Sequence, residues 1–218
     1  MDLLGFIIIC VKVLLVFAAT LLTVLIMIYA ERRVSAFIQG RLGPNRVGPQ
    51  GLLQPIADGI KFLMKEDIIP AAVDKPIFIL APAILLIPAL MTFAVIPFGS
   101  DITLFGRQIP LQVADVNIGI LYVLALTSIG LYGIVLAGWS SNSKYSLLGG
   151  LRSSAQLISY ELAMGLAVVS IILLSGSLKL NDIVADQQGY FFSWNIFKQP
   201  LAFLIFLVAV YTETNRLP

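Results

Sequence analysis

The stretch LLGFIIICVKVLLVFAATLLTVLIMIYA, residues 3–30, passes directly into ERRVSAFIQGRLGPNRVGPQG, residues 31–51. The first part carries one charge, Lys12, in 28 residues, and the second carries five charges and two Gly-Pro steps. A helix rises about 1.5 Å per residue, so about 20 apolar residues cross the roughly 30 Å hydrocarbon layer of a bilayer. Residues 3–30 therefore read as a membrane span, and residues 31–51 as a polar segment at its far end. Lys12 reads as a snorkelling or packing lysine.

The whole chain follows the same pattern. It is 59% hydrophobic and only 12% charged, with a mean hydropathy of +0.96, far from the roughly one-quarter charged residues of soluble domains. Further apolar runs at residues 77–98, 118–139, 155–174 and 201–212 bring the expected spans to five. The expected fold is all-α: one integral membrane domain over residues 1–218, a multi-span transmembrane helix bundle with an amphipathic helix on its cytoplasmic side. Pro82 and Pro88 should kink the second span. Trp139, Tyr145 and Trp194 fall where interfacial aromatics are expected. The first run is too long for a cleaved leader and lacks a basic start, so none is expected.

Composition also excludes chemistry. There is no histidine, and the one cysteine, Cys10, lies inside the first span. Haem on histidine, cysteine-ligated iron-sulfur clusters, His/Cys zinc sites and Ser-His catalysis are removed together. A net charge of +2, dispersed along the chain, argues against nucleic acid. The connection from Glu31 to Lys75 holds seven Lys and Arg residues, residues 140–154 hold two, and Arg216 brings that side to ten, against Arg107, Lys179 and Lys198 on the other. The positive-inside rule then turns residues 31–75 to the cytoplasm and the N-terminus outward. No inverted repeat is visible.

Within the long connection, Arg41 and Arg46 flank GPNRVGP, where Pro44 and Pro49 fix φ beside permissive glycines. This predicts a stiff loop. In the following GLLQPIADGIKFLMKED, residues 51–67, Leu52, Ile56, Ile60 and Leu63 recur at helical spacing, with Gln54, Asp58, Lys61 and Lys65 on the opposite stripe. Such a helix suits a membrane surface or a soluble partner. Lipid-headgroup anchoring is one reading; the five acids Glu31, Asp58, Glu66, Asp67 and Asp74 in the same connection favour protein docking or a polar passage.

Two acids fall inside spans. Glu161 lies about 10 Å deep if its helix starts near Ala155, and Glu213 has travelled about 18 Å if its helix enters near Leu201, so the two are expected at similar depth. An ionisable group there costs about 2.5–3.5 kcal/mol on the insertion scale and faces a partner or a wet cavity. Arg216 is the expected partner of Glu213, and Gln156 and Tyr160 are candidate hydrogen-bond neighbours of Glu161. Asp101 and Asp115 read as ordinary solvated or capping acids of an outward loop.

Three segments carry a resemblance: ERRVSAFIQGRLGPNRVGPQGLLQPIADGIKFLMKED, SNSKYSLLGGLRSSAQLISYEL and ETNRLP. In this order and spacing they resemble the H-type, quinone-site membrane subunit of respiratory complex I, the proton-pumping NADH:quinone oxidoreductase. The similarity runs from about Tyr29 onward. It implies a subunit of an energy-transducing inner membrane that joins membrane and peripheral arms and walls a quinone access tunnel. Quinone is then the substrate, NADH and the iron-sulfur clusters belong to partner subunits, and this chain binds no cofactor or metal and holds no catalytic residue of its own. The resemblance assigns Glu31, Arg32, Phe37, Arg41, Arg46, Asp58 and Lys61 to the tunnel and docking rim, and Glu66, Glu161, Glu213 and Arg216 to proton coupling. Lys61 and Glu66 are expected in the amphipathic helix. The family pattern continues past ETNR-P into an acidic loop and about three more helices, which implies a fragment or a truncated gene. A homologous membrane subunit of an energy-converting hydrogenase or ferredoxin-linked complex, and a stand-alone ion transporter, stay open as alternatives.

Overall fold

The computed structural model describes residues 3–99, 101–104 and 107–214. The chain divides into two compact units, residues 1–68 and 69–218.

The first unit is built on α1, Leu3–Ile38, a single helix of 36 residues. The polar segment expected from Glu31 onward is thus helical for two further turns. The reason is local: Glu31, Arg32, Arg33 and Ala36 are good helix formers, and no glycine or proline intervenes before Gly40. At Gly40 φ reaches +63°. The Gly40 N–H bonds the Phe37 carbonyl at 3.1 Å and the Arg41 N–H bonds the Ala36 carbonyl at 3.0 Å, the paired bonds of a Schellman stop. After a 3-10 turn at Pro49–Gly51, α2 runs Gln54–Leu63 with Pro55 in its first turn. It ends before Glu66, which lies in irregular chain and not in the helix expected from the sequence. Glu66 and Asp67 would face the negative end of the helix dipole, and Pro70 follows.

The second unit is a helix bundle. It comprises α3 (Lys75–Thr92), a short antiparallel hairpin of β1 (Ile102–Leu104) and β2 (Arg107–Ile109), α4 (Gly119–Ser140), α5 (Lys144–Ser175), the short α6 (Leu180–Ala185) and α7 (Asn195–Lys198), and α8 (Pro200–Glu213). Ile102 pairs with Ile109 across the hairpin. Helix α3 packs on α4, α4 on α5, and α5 on α8. Pro82 and Pro88 both lie within the continuous α3.

Four helices, α1, α3, α4 and α5, are long and apolar enough to cross a membrane. Of the expected fifth span, the described residues show α8, 14 residues or about 21 Å of helix. Its start is set by Pro200, which has no N–H to continue a helix from the preceding turn. The fourth span starts earlier than expected: α5 begins at Lys144, eleven residues before Ala155, because LLGGLRSSAQ carries no proline and propagates the helix. The polar connection to α4 shrinks to residues 141–143.

Glycine sets the crossings. A Cβ on Gly133 would stand 2.8 Å from the Ala81 carbonyl oxygen, and one on Gly138 would stand 3.3 Å from the Gly150 Cα. Only glycine lets α3, α4 and α5 approach backbone to backbone at these points. The helix ends are tied too. The Asp74 N–H bonds the Ser140 carbonyl at 2.9 Å, and Asn142 Nδ2 donates to the Ala72 carbonyl at 3.0 Å. At the other end Asp115 is not simply solvated: its Oδ2 lies 2.7 Å from Lys179 Nζ. That hydrogen bond holds the Lys179 ammonium above its ordinary pKa. Beside it Asn181 Nδ2 donates to the buried Gln112 at 2.8 Å.

Gly133→Ala is expected to lower stability by about 1–3 kcal/mol through overpacking of α3 on α4. Gly130→Ala, where nothing lies within 4 Å of an added Cβ, should be neutral or mildly stabilising. Thermal unfolding in detergent checks the pair, and equal midpoints would contradict the packing account.

Candidate functional site

In the first unit the charged residues are organised by the loop after α1. Gly51 sits at φ +77°, and a Cβ there would stand 2.2 Å from the Pro44 carbonyl oxygen. The GPNRVGPQG loop closes on itself at that point, as its prolines and glycines imply. Tyr29 donates to the Gln50 carbonyl at 3.0 Å. Arg33 donates to the Tyr29 hydroxyl, and its guanidinium carbon lies 5.7 Å from the Tyr29 ring centre. The loop is thereby fastened to α1.

Arg32 on α1 pairs with Asp58 on α2, and Gln54 Nε2 donates to the other Asp58 oxygen at 3.1 Å. Asp58 thus faces α1, while Ile56, Ile60 and Leu63, the apolar stripe of α2, are left bare. The hydrogen bonds from Gln54 and Arg32 hold the Asp58 carboxyl below its ordinary range, with the Lys61 charge adding to the same effect. A polar cleft of about 440 Å³ opens beside this pair, lined by Glu31, Arg32, Ser35, Arg41, Leu42, Gly43 and Pro44. Of the expected rim residues, Glu31, Arg32 and Arg41 meet here, and Asp58 is joined through Arg32. Phe37, Arg46 and Lys61 are exposed and do not line the cleft. Glu66 lies outside it as well.

In the second unit Glu161 sits on α5, 14 residues or about 21 Å from the Ser175 end. Two hydroxyls from α4 converge on its Oε1, Ser128 Oγ at 2.6 Å and Thr127 Oγ1 at 3.0 Å. Neither is among the neighbours expected from the sequence. The signal for them is the pair Thr127-Ser128 in the middle of an otherwise apolar span, where the single proton of each hydroxyl lies within reach of both Glu161 and the Leu124 carbonyl. Gln156 and Tyr160 do not take that role.

Thr127 also lines an apolar groove of about 690 Å³ bounded by α4, α5, α6, α7 and α8, and Glu213 lies in the same groove. Gln199 Nε2 donates to the Ser170 carbonyl at 3.2 Å, so α8 starts level with Ser170 and not with Ser175. Glu213 is therefore carried about 7 Å further from the Ser175 end than a span entering level with that end would carry it. Arg216, its expected partner, lies outside the described residues. Among the described residues, no group of three or more His, Cys, Asp or Glu side chains is placed to hold a metal ion.

Four spanning helices, a loop-fastened helix pair and an embedded acid held by hydroxyls define a polytopic membrane protein with polar groups built into its spans. The chain belongs to the NADH dehydrogenase family, whose model matches residues 11–218. It is 58% identical over 207 residues to an H-type NADH-quinone oxidoreductase subunit of Geobacter metallireducens, covering 95% of this chain and 62% of that protein. It is 51% identical over 203 residues to the corresponding protein of Cytophaga hutchinsonii, covering 93% and 59%, and 55% identical over 199 residues to that of Thermomicrobium roseum, covering 88% and 58%. The chain thus spans about three fifths of the length of these curated relatives.

Because the folded-state pKa of Asp58 is depressed, its pairing contributes stability above the unfolded carboxylate value of about 3.9, and that contribution is lost as pH falls through the lower folded value. Carboxyl NMR titration of Asp58 in nanodiscs should give a midpoint below the ordinary value. Gln54→Ala and Arg32→Gln should each move it back up, and an ordinary midpoint in the unmodified protein would contradict the geometry.

Proposed function

We propose that this chain is a membrane subunit of a proton-translocating NADH:quinone oxidoreductase, that it walls the path by which quinone enters, and that Glu161 and Glu213 couple quinone reduction to proton movement. One observation carries the reading. Glu161 is held by two hydroxyls within the bundle, and one of the two donors, Thr127, lines the groove that contains Glu213. A hydroxyl can donate or accept, so these two partners can bond and orient the Glu161 side chain whether it is a carboxylate or a carboxylic acid. The names of the relatives supply the reaction.

In this reading the loop-fastened cleft of Glu31, Arg32 and Arg41, with Asp58 paired beside it, forms the rim on which peripheral-arm subunits dock. Phe37, Arg46 and Lys61 belong to the same exposed surface. NADH and the iron-sulfur clusters are held by those partners, and neighbouring membrane-arm subunits receive the protonation signal. An apolar quinone tail follows the oily wall while its headgroup is drawn to the polar rim. The excess of Lys and Arg supports a cytoplasmic position for residues 31–75 at an inner membrane, with the N-terminus outward. Glu66 and Arg216 extend the coupling set.

Glu161→Gln in the assembled complex should preserve the subunit complement, read by mass spectrometry of the purified complex. It should lower quinone-coupled NADH oxidation and proton pumping on the order of 10²-fold, the low end for a positioned proton-transfer group. Thr127→Val combined with Ser128→Ala should lower both in the same direction while Glu161 remains. Full turnover and pumping in Glu161→Gln would make Glu161 a packing residue.

A further inference from the structure

Among the described residues α8 runs Pro200–Glu213. Its start is fixed by the 3.2 Å bond from Gln199 Nε2 to the Ser170 carbonyl, five residues or about 7.5 Å inside the Ser175 end of α5. The Ser175 end closes the apolar part of α5, so that offset places whatever precedes Pro200 at the rim of the bilayer. That segment is YFFSWNIFK, residues 190–198. We propose that residues 190–198 are a membrane-interface wedge, seated between the headgroups and upper acyl chains of the leaflet at the Ser175 end, in the depth left above the start of α8.

The segment is built for that position. Phe191 lies 5.2 Å from Trp194 and 4.7 Å from Phe197, and Phe192 lies 5.5 Å from Phe197, centre to centre. The rings pack against one another at tilted angles, yet Tyr190 is 88% and Phe192 76% exposed. Part of the backbone is bonded locally, which suits a segment at the edge of hydrocarbon. The Ser193 N–H bonds the Tyr190 carbonyl at 2.8 Å, the Phe197 N–H the Trp194 carbonyl at 3.0 Å and the Gln199 N–H the Asn195 carbonyl at 2.8 Å. The Asn195 N–H also bonds Gln187 Oε1 at 3.2 Å.

Bare apolar surface flanks the rings on both helices, at Leu173 on α5 and Leu201 on α8. The one charge between Gln187 and Gln199 is the basic Lys198, suited to anionic headgroups. Aromatic rings with polar neighbours and a single cation match the interface of a bilayer and not its centre or the open solvent. This inference does not depend on the quinone reading.

Trp139→Phe in the full chain leaves Trp194 as its one tryptophan. In phosphatidylcholine and phosphatidylglycerol vesicles its fluorescence should lose most of its intensity to lipid brominated near the headgroup, and much less to lipid brominated at the chain end or to aqueous iodide. Quenching chiefly by iodide, or chiefly by the chain-end bromines, overturns the proposal. In native membranes, benzoyl-phenylalanine in place of Phe192 should yield lipid adducts in the assembled complex; a crosslink to another protein subunit in their place would also overturn it.

Discussion

The structure depends on one constraint: a carboxyl inside a span must be met by polar partners supplied by a neighbouring helix. Ser128 and Thr127 meet Glu161 in that way, at 2.6 and 3.0 Å. They reach it because α4 and α5 approach closely, and that approach is possible because Gly138 stands against Gly150 with no side chain between. Association between helices in lipid has little hydrophobic drive, so small residues and hydroxyl bonds carry more of it than they would in water. The same small residues that hold α3, α4 and α5 together therefore also position the acid.

A different solution operates in the first unit. There the charges lie beyond the span, and the backbone holds them in place. Gly40 stops α1 with a left-handed residue, Gly51 lets the loop close on Pro44, and Tyr29 and Arg33 fasten it through Gln50. The outcome fixes Arg32 opposite Asp58 and leaves the apolar stripe of α2 bare. The function proposed above assigns this polar rim and open apolar face to docking partners and to quinone.

Much of this is legible in the sequence. The spans follow from long apolar runs, and the stiff loop from its glycines and prolines. Helix ends are less legible. Residues 31–38 carry neither glycine nor proline, and residues 144–154 carry Gly149 and Gly150 but no proline, so both helices run on past the hydrophobic boundary, and hydropathy alone marks the oil and not the helix. The depth at which the fifth helix starts is hidden for a different reason, because apolar composition does not reveal where Pro200 lies relative to α5. Glu161 and Glu213 are visible as charges in apolar runs. Their surroundings are not: the hydroxyl partners come from a helix more than 30 residues away, and only the crossing of α4 on α5 brings them together.

The central claim is that Glu161, held by hydroxyls, changes protonation when the quinone is reduced. Infrared difference spectra of the assembled complex, taken between oxidised and reduced quinone pools with isotope-labelled glutamate, test it most directly. The account predicts a carboxyl band change that disappears in Glu161→Gln. Identical difference spectra from the unmodified and substituted complexes would contradict it.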